Sequence, residues 1–131
     1  MSFRVDPARA TPPSQQIVEA ILDLVASGGL LAGDRLPSVR QMAEEALVNP
    51  NTVGRAYRDL EWLGVAAGRN GSGVYVTSEG PRLARERRRA TTLEAFALAL
   101  QHALRAGHSA GALQRIFDAQ TAAPSRTGGT P

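Results

Sequence analysis

The sequence predicts a mainly α-helical fold that carries one small β-wing. Apolar residues recur at helical spacing in five segments, and a glycine-rich segment between two short apolar runs predicts a single β-hairpin. The chain has 131 residues, of which 43% are apolar, so it has room for one ordinary domain or for one small domain with an appendage. We place one domain over residues 1–78, a helical domain over 79–122 and a disordered tail over 123–131, where Pro, Ser, Thr and Gly dominate.

The first two helices are predicted from their end signals. A helix over residues 14–27 is expected to have Ser14 as its N-cap and to end at Gly28. Its apolar face consists of Ile17, Ile21, Leu24 and Val25. A loop, LLAGDRLPS, leads to a second helix at Ser38, because Ser38 and Gln41 fit a capping box. The predicted apolar face of this second helix consists of Val39, Met42, Ala43 and Leu47.

A third helix and the hairpin complete the first domain. Asn49 can cap this helix, Pro50 fits its first position, and Gly64 ends it. Its apolar stripe consists of Val53, Ala56, Tyr57, Leu60 and Leu63. The predicted strands are residues 3–5, 65–67 and 74–76, and residues 68–73 join the last two.

Two further helices are predicted after Pro81, which marks the boundary between the hairpin and the first of them. The first runs over about 82–106 until Gly107 interrupts it, and the second runs over about 109–122. Their apolar residues, taken as the candidate dimer interface, are Leu93, Phe96, Ala97, Leu100, Leu104, Leu113, Ile116 and Phe117. The apolar face of the long helix is too wide for one short helix to cover, so a two-helix dimerisation domain is predicted. The alternative is that these helices fold back onto the first domain of their own chain.

The order helix, helix, helix, hairpin is that of a winged helix-turn-helix domain. The short ALVNPN turn between the second and third helices fits this motif. In such a domain the third helix enters the major groove of DNA and its N-terminal residues meet base edges. Asn51, Arg55 and Arg58 lie along one side of that helix, opposite the apolar stripe. On this pattern alone, an ordinary solvated helix face remains an equal alternative.

Two segments, GDRLPSVRQMA and VNPNTVGRAYRDLEWLG, resemble the N-terminal DNA-binding domain of the GntR family of bacterial regulators. The matching residues are Gly33, Asp34, Leu36, Pro37, Ser38, Arg40, Ala43, Val48, Asn49, Pro50, Asn51, Thr52, Val53, Arg55, Ala56, Tyr57, Leu60, Glu61 and Gly64. The hairpin end, with Gly71, Gly73, Tyr75 and Val76, resembles the family's G-x-G-x-[FY]-V ending. The opening FRVDP and the NPNT sequence resemble the YtrA-like branch of this family.

The resemblance implies which residues contact DNA. Arg40 would contact it from the second helix, Asn51 and Thr52 would face the major groove, and the wing tip would reach the minor groove. Arg35 is expected to touch phosphate, whereas Asp34 is expected to anchor its loop. The full candidate DNA-binding set is Arg35, Ser38, Arg40, Asn49, Asn51, Thr52, Arg55, Arg58, Arg69, Asn70, Gly71 and Ser72.

Gly54 is a departure that does not disturb the fold prediction. It lies inside the third helix, where glycine costs about 1 kcal/mol relative to alanine. Either a close approach of the helix backbone to DNA or neutral sequence drift would account for it.

An arginine cluster opens the long helix and has two interpretations. It consists of Arg82, Arg85, Arg87, Arg88 and Arg89. A charge run of this kind usually forms a solvated helix face. The alternative is that it adds phosphate contacts beside the wing.

Composition excludes several other classes of protein. The chain has no cysteine, so disulfides and cysteine-based zinc sites are excluded, and its two histidines do not suffice for a metal site. The GRNGSG run leads into a strand, whereas a dinucleotide-binding loop opens a helix. The start, MSFRVDPARA, lacks an apolar signal core, and no stretch is long and apolar enough for a membrane span. A location in the cytoplasm, on the nucleoid when DNA is bound, is therefore expected.

These observations lead to a functional expectation. The net charge of +3 gives little support for an anionic partner, because residues 1–80 carry seven arginines against nine acids. The motifs and the resemblance instead predict a regulator, most simply a repressor, that binds palindromic double-stranded operator DNA as a homodimer. No nucleophile paired with a base is visible, so no enzyme and no cofactor are expected. Whether a small-molecule effector binds, for example between the two subunits, is left open by the sequence. The alternative is a winged-helix protein-interaction module without DNA binding. The Asn, Thr and Arg residues of the predicted groove face argue against it, because a protein interface favours aromatic anchors.

Overall fold

The computed structural model describes residues 3–122, and it confirms the predicted mainly α-helical fold with a small β-wing. The elements within that range are α1 (Pro13–Ser27), α2 (Val39–Ala46), α3 (Pro50–Trp62), β1 (Ala66–Arg69), β2 (Gly73–Val76), α4 (Gly80–Arg105) and α5 (Ala110–Ala122). The chain divides into two compact units, and the boundary between them falls after Ala90, within α4. The sequence had placed the domain boundary between residues 78 and 79. The predicted tail, residues 123–131, lies outside the described residues.

Helix α1 begins one residue earlier than predicted. Pro13 occupies its first turn and Pro12 is its N-cap, with no side-chain hydrogen bond, so the predicted capping role of Ser14 is wrong. The physical reason is that proline presets a helical φ and lacks the N–H that a cap would satisfy. The helix ends at Gly28 as predicted, because Gly28 adopts a φ of +90°.

Helix α2 starts where the capping box predicted, but its apolar face differs. The Gln41 N–H donates to Ser38 Oγ at 3.1 Å, and the Ser38 N–H donates back to Gln41 Oε1 at 3.0 Å. Met42, Ala43 and Ala46 are buried, whereas the predicted face members Val39 and Leu47 are exposed. Leu47 is 67% exposed because the helix ends at Ala46, and the φ of +61° at Leu47 directs its side chain away from the core.

Helix α3 is the centre of the first unit. Asn49 caps it by accepting a 2.7 Å hydrogen bond from the Asn51 N–H, and Pro50 begins it, as predicted. Its predicted stripe is buried against α1 and α2, apart from Leu63, which is half-buried. The Tyr57 hydroxyl donates to the Pro37 carbonyl at 2.7 Å. Burial raises the pKa of Tyr57, with a further contribution from Glu45, so the phenol remains a donor.

The wing contains a pairing that the sequence did not predict. Strands β1 and β2 form an antiparallel hairpin whose ladder starts at Ala66 and Val76. The segment predicted as a loop also pairs with β2, through a bridge between Arg35 and Tyr75. Residues 3–5 form no strand, because the Val5 N–H donates to the carbonyl of Ala46, at the end of a helix.

Helix α4 starts at Gly80, two residues before its predicted start at about residue 82. Pro81 lies in its first turn, where proline is tolerated, and therefore does not separate two elements. Ala84 is fully buried and Leu83 packs against the core of the first unit. Helix α4 ends near Gly107, whose φ is +102°, and the Ala112 N–H donates to Ser109 Oγ at the start of α5. None of the helices within residues 3–122 combines the length and apolarity needed to cross a membrane.

Candidate nucleic-acid interface

One exposed face of α3 presents polar and basic groups together. Residues at helical spacing along it form what we call the α3 stripe, defined as Asn51, Gly54, Arg55, Arg58 and Trp62. The opposite face is buried, with Val53 and Leu60 fully inaccessible to solvent. The two acids of α3, Asp59 and Glu61, lie at the edges of the stripe, so its centre is positively charged.

The N-terminal end of the α3 stripe is flanked by the start of α1. Pro12, Pro13 and Ser14 line an open cleft of about 300 Å³ together with Asn51 and Thr52. Helical periodicity could not reveal this neighbourhood, because it depends on how α1 packs against α3. The cleft adds the first turn of α1 to the surroundings of the two predicted base-reading side chains.

The capping residues have part of their hydrogen-bonding capacity already in use. Asn49 Oδ1 and Ser38 Oγ each accept a backbone N–H in their own helix. The Asn49 amide NH₂ and the Ser38 hydroxyl hydrogen are donors, and donors suit phosphate oxygens. Both residues therefore have a structural role and keep a donor for the contact predicted from the sequence.

Three arginines on α2 and α3 are exposed without an acidic partner. Arg40, Arg55 and Arg58 form no ion pair with any acidic side chain of residues 3–122. Arginine side chains in this state can bind phosphate oxygens or the O6 and N7 atoms of guanine. The described part of the chain therefore leaves these guanidinium groups available to an external anion.

The wing tip is a tight turn held by its own backbone. The Ser72 N–H donates to the Arg69 carbonyl at 2.7 Å, and Gly71 has a φ of +71°, as the third position of a type II turn requires. Asn70 and Gly71 are exposed at the tip. The Arg69 guanidinium lies over the Tyr75 ring, 4.1 Å from its centroid. This cation–π contact holds the guanidinium group beside the tip of the wing.

Arg35 belongs to the wing rather than to the start of α2. Its Nε atom lies so close to Gly73 that a Cβ built on Gly73 would be 2.6 Å away. Asp34, in contrast, acts as the predicted loop anchor, because its Oδ2 accepts the Leu31 N–H at 2.8 Å. The sequence interpretation named Arg35 but missed Gly73 and Tyr75 as its neighbours, since only the register of the sheet brings them together.

The arginine cluster at the start of α4 is at least partly engaged by acids. Arg82 pairs with Glu79 at 2.7 Å and with Glu86 at 3.1 Å, and Arg88 pairs with Asp23. Hydrogen bonding to Glu79 is the largest of the effects that raise the pKa of Arg82. These pairs favour a solvated, internally paired helix face over an array of phosphate contacts.

The candidate dimer residues lie on α4 and α5 and are mostly exposed. Leu93 is 67% exposed and Phe96 54%, and only Leu113 is half-buried. Six of the eight line a groove of about 720 Å³ between the two helices, namely Phe96, Leu100, Leu104, Leu113, Ile116 and Phe117. No residue of α5 is buried within the described part of the chain. The groove is therefore an apolar surface that the second unit does not cover by itself.

The chain resembles one protein family over the segment that contains the candidate interface. The sequence model of that family, described as bacterial regulatory proteins, gntR family, matches residues 13–76, from the start of α1 to the end of β2. Over 75 residues the chain is 39% identical to the HTH-type transcriptional repressor YtrA of Bacillus subtilis, which corresponds to 57% of this chain and 58% of YtrA. The chain thus spans somewhat more than half the length of this curated relative.

Two solved structures are similar over most of their own length. A GntR family transcriptional regulator from Listeria monocytogenes has a TM-score of 0.72 at 26% identity, over 86% of this chain and 96% of that one. YtrA from Sulfolobus acidocaldarius, a GntR-family transcription factor, has a TM-score of 0.56 at 34% identity, over 72% of this chain and 96% of that one. The similarity to the Listeria structure extends beyond the winged domain into the C-terminal helices.

Proposed function

Because the chain belongs to the GntR family of bacterial regulatory proteins, we propose that it is a DNA-binding regulator of transcription that acts as a repressor. The α3 stripe is the observation that carries this proposal. It presents two arginines and an asparagine on a rigid helix whose opposite face is buried. The name of the Bacillus subtilis relative, a transcriptional repressor, supports the direction of regulation.

The proposed binding mode places α3 in the major groove of operator DNA. Asn51 and Thr52, in the first turn, meet base edges, where amide and hydroxyl groups can distinguish base pairs. Arg55 and Arg58 bind phosphates or guanines farther along the helix, and Arg40 reaches the backbone from α2. The wing tip, from Arg69 to Ser72, enters the adjacent minor groove.

A second copy of the chain completes the proposed assembly. The apolar groove of α4 and α5 is lined by six large side chains, five of them exposed, that two copies would cover by packing together. A two-fold dimer presents two α3 helices to two half-sites, so a palindromic operator is expected. The protein acts in this proposal on chromosomal DNA in the bacterial cytoplasm, without a catalytic step.

Replacing the exposed arginines tests the proposed binding mode. Arg40→Ala and Arg55→Ala are each expected to weaken operator binding by about 1–3 kcal/mol, because each removes a charge-assisted contact. Fluorescence anisotropy with a labelled duplex measures the affinity, and the melting temperature of each variant should stay unchanged.

Arg105→Ala is the matched control, since it removes the same charge from the end of α4. It should bind as the unaltered protein does. If all three variants bound the operator with the affinity of the unaltered protein, Arg40 and Arg55 would not belong to the interface.

A further inference from the structure

The segment before α2 acts as a third strand of the wing. The Leu36 N–H donates to the Val74 carbonyl, and the Val76 N–H donates to the Asp34 carbonyl, both at 2.8 Å. These two bonds flank Arg35 and Tyr75, which therefore form a closely spaced, non-hydrogen-bonded antiparallel pair. Side chains of such a pair point to the same face of the sheet.

The two faces of this sheet have different surroundings. Leu36 and Val76 point to the inner face and are each 2% exposed. Arg35 and Arg69 are exposed and Tyr75 is half-exposed, on the outer face. Residues 73 and 75 of β2 share that outer face because side chains in a strand alternate. The register therefore gathers two arginines around one short stretch of β2.

Gly73 makes room for the first of these arginines. A Cβ at this position would lie 2.6 Å from Arg35 Nε and 3.3 Å from Arg35 Cζ, so a side chain here would displace the Arg35 guanidinium from this position. The φ of +129° at Gly73 is also one that other residues rarely adopt. Glycine therefore allows the Arg35 side chain to cross the strand in contact with its backbone.

Tyr75 supports the second arginine. The Arg69 guanidinium lies 4.1 Å from the centroid of the Tyr75 ring, a cation–π distance. The Tyr75 hydroxyl lies 3.3 Å from Ser72 Oγ, in the turn that follows Arg69. Both arginines are thus held by neighbours that carry no negative charge, and neither forms an ion pair with an acid of residues 3–122.

We propose that Gly73 and Tyr75 are positioning residues, which hold Arg35 and Arg69 as a pair on the outer face of the wing so that both guanidinium groups bind the phosphates that border the minor groove. This inference rests on the proposed function, because the occupant is the same duplex. Two exposed guanidinium groups without acidic partners complement a polyanion. Holding them in place before binding reduces the side-chain entropy that binding would otherwise cost. Phosphate contacts carry no sequence information, so the site should act on any duplex.

The salt dependence of binding tests the arginine pair directly. The unaltered protein, Arg35→Ala and Arg69→Ala are titrated with a mixed-sequence 30-base-pair duplex across a series of salt concentrations. Each lost phosphate contact should reduce the slope of log K against log salt by about 0.9. The double variant should lose about twice that amount, whereas Arg105→Ala should keep the full slope. An unchanged slope in both single variants would overturn this inference alone, and absence of binding by the unaltered protein would overturn the proposed function with it.

A double-mutant cycle tests the positioning role of Gly73. Gly73→Ala should reduce the salt slope in the unaltered background and should have no further effect when Arg35 is already alanine. Gly33→Ala is the matched control, because Gly33 also has a positive φ, +91°, but a Cβ there would meet nothing within 4 Å. It should keep the full slope. If Gly73→Ala still lowered the salt slope in the Arg35→Ala background, Gly73 would not act by positioning Arg35.

The ring of Tyr75 is tested separately from its hydroxyl. Tyr75→Phe retains the aromatic face and should keep the salt slope, whereas Tyr75→Leu removes the support of Arg69 and should lower it. Equal slopes for the phenylalanine and leucine variants would exclude the positioning role of the ring.

Discussion

Gly54 lies in the middle of α3 and the fold does not require a glycine there. A Cβ at this position would meet only Arg58 Nη1, at 3.6 Å, and Gly54 has no positive φ. It sits on the α3 stripe between Asn51 and Arg58. The sequence left two explanations open, a close approach of DNA and neutral drift. The position of Gly54 on the face proposed to enter the DNA major groove supports the close approach.

Gly54→Ala is therefore expected to stabilise the protein while weakening its DNA binding. Alanine in a helix interior should raise the free energy of unfolding by about 0.5–1 kcal/mol relative to glycine. The added methyl group would stand where the duplex approaches α3 and should lower the affinity. Chemical denaturation and anisotropy titration measure the two effects. A stabilised variant with unchanged affinity would favour sequence drift.

At the residue scale, local signals were predictable and contacts between segments were not. Ser38, Gln41 and Asn49 were identified correctly because a cap depends only on residues three or fewer positions apart. The contact of Arg35 with Gly73 joins residues far apart in sequence, so no short-range pattern contains it. The role of Arg35 at the wing therefore emerged only from the register of the sheet.

Helix α2 is short, so its ends matter for its stability. It has eight residues, and its start depends on the reciprocal bonds between Ser38 and Gln41. Ser38→Ala removes the acceptor of the Gln41 N–H and should lower the free energy of unfolding by about 1 kcal/mol. Ser78→Ala, at an exposed position outside the helices, is the control and should have little effect. If Ser38→Ala were as stable as the control, the capping box of Ser38 and Gln41 would make no contribution to the free energy of unfolding.

At the element scale, the sequence predicted the order of the elements and most helix starts, but not every end. The C-cap at Leu47 is the clearest example, because a leucine with a φ of +61° carries no sequence signal of helix termination. The short bridge of residue 35 to β2 was equally hidden within a segment typical of a loop.

At the scale of the whole molecule, the start of α4 belongs to the first compact unit. Leu83 and Ala84 pack with its core, so deletion from residue 82 onwards would remove buried contacts. Deletion of residues 91–131 removes only the second unit. The shorter chain should fold and remain monomeric. It should bind DNA much more weakly than the full chain, because a monomer contacts one half-site and lacks the second subunit that binds the other.

Sedimentation equilibrium and anisotropy titration of the two forms measure these expectations. The full chain should be a dimer at the concentrations at which it binds. A chain ending at Ala90 that still dimerises tightly would assign the interface to another surface. A full chain that stays monomeric would instead favour helices that fold back onto their own winged domain.

The charges of the whole molecule explain why composition gave little guidance. Residues 1–80 contain more acids than arginines, yet they contain the proposed DNA-binding surface. What distinguishes this surface is the placement of its arginines on the α3 stripe and the wing, away from most acids. The sequence motifs identified these residues, whereas the net charge did not.

Whether the protein is a dimeric, sequence-specific DNA-binding regulator is best tested by selecting bound sequences from a random duplex library and measuring their affinities at two salt concentrations. We expect an enriched inverted repeat with one half-site for each α3, and tight binding that weakens steeply as salt rises. Binding without any enriched sequence would contradict the claim of a specific operator. Absence of binding at both salt concentrations would contradict DNA recognition itself and favour a protein-interaction role for the winged domain.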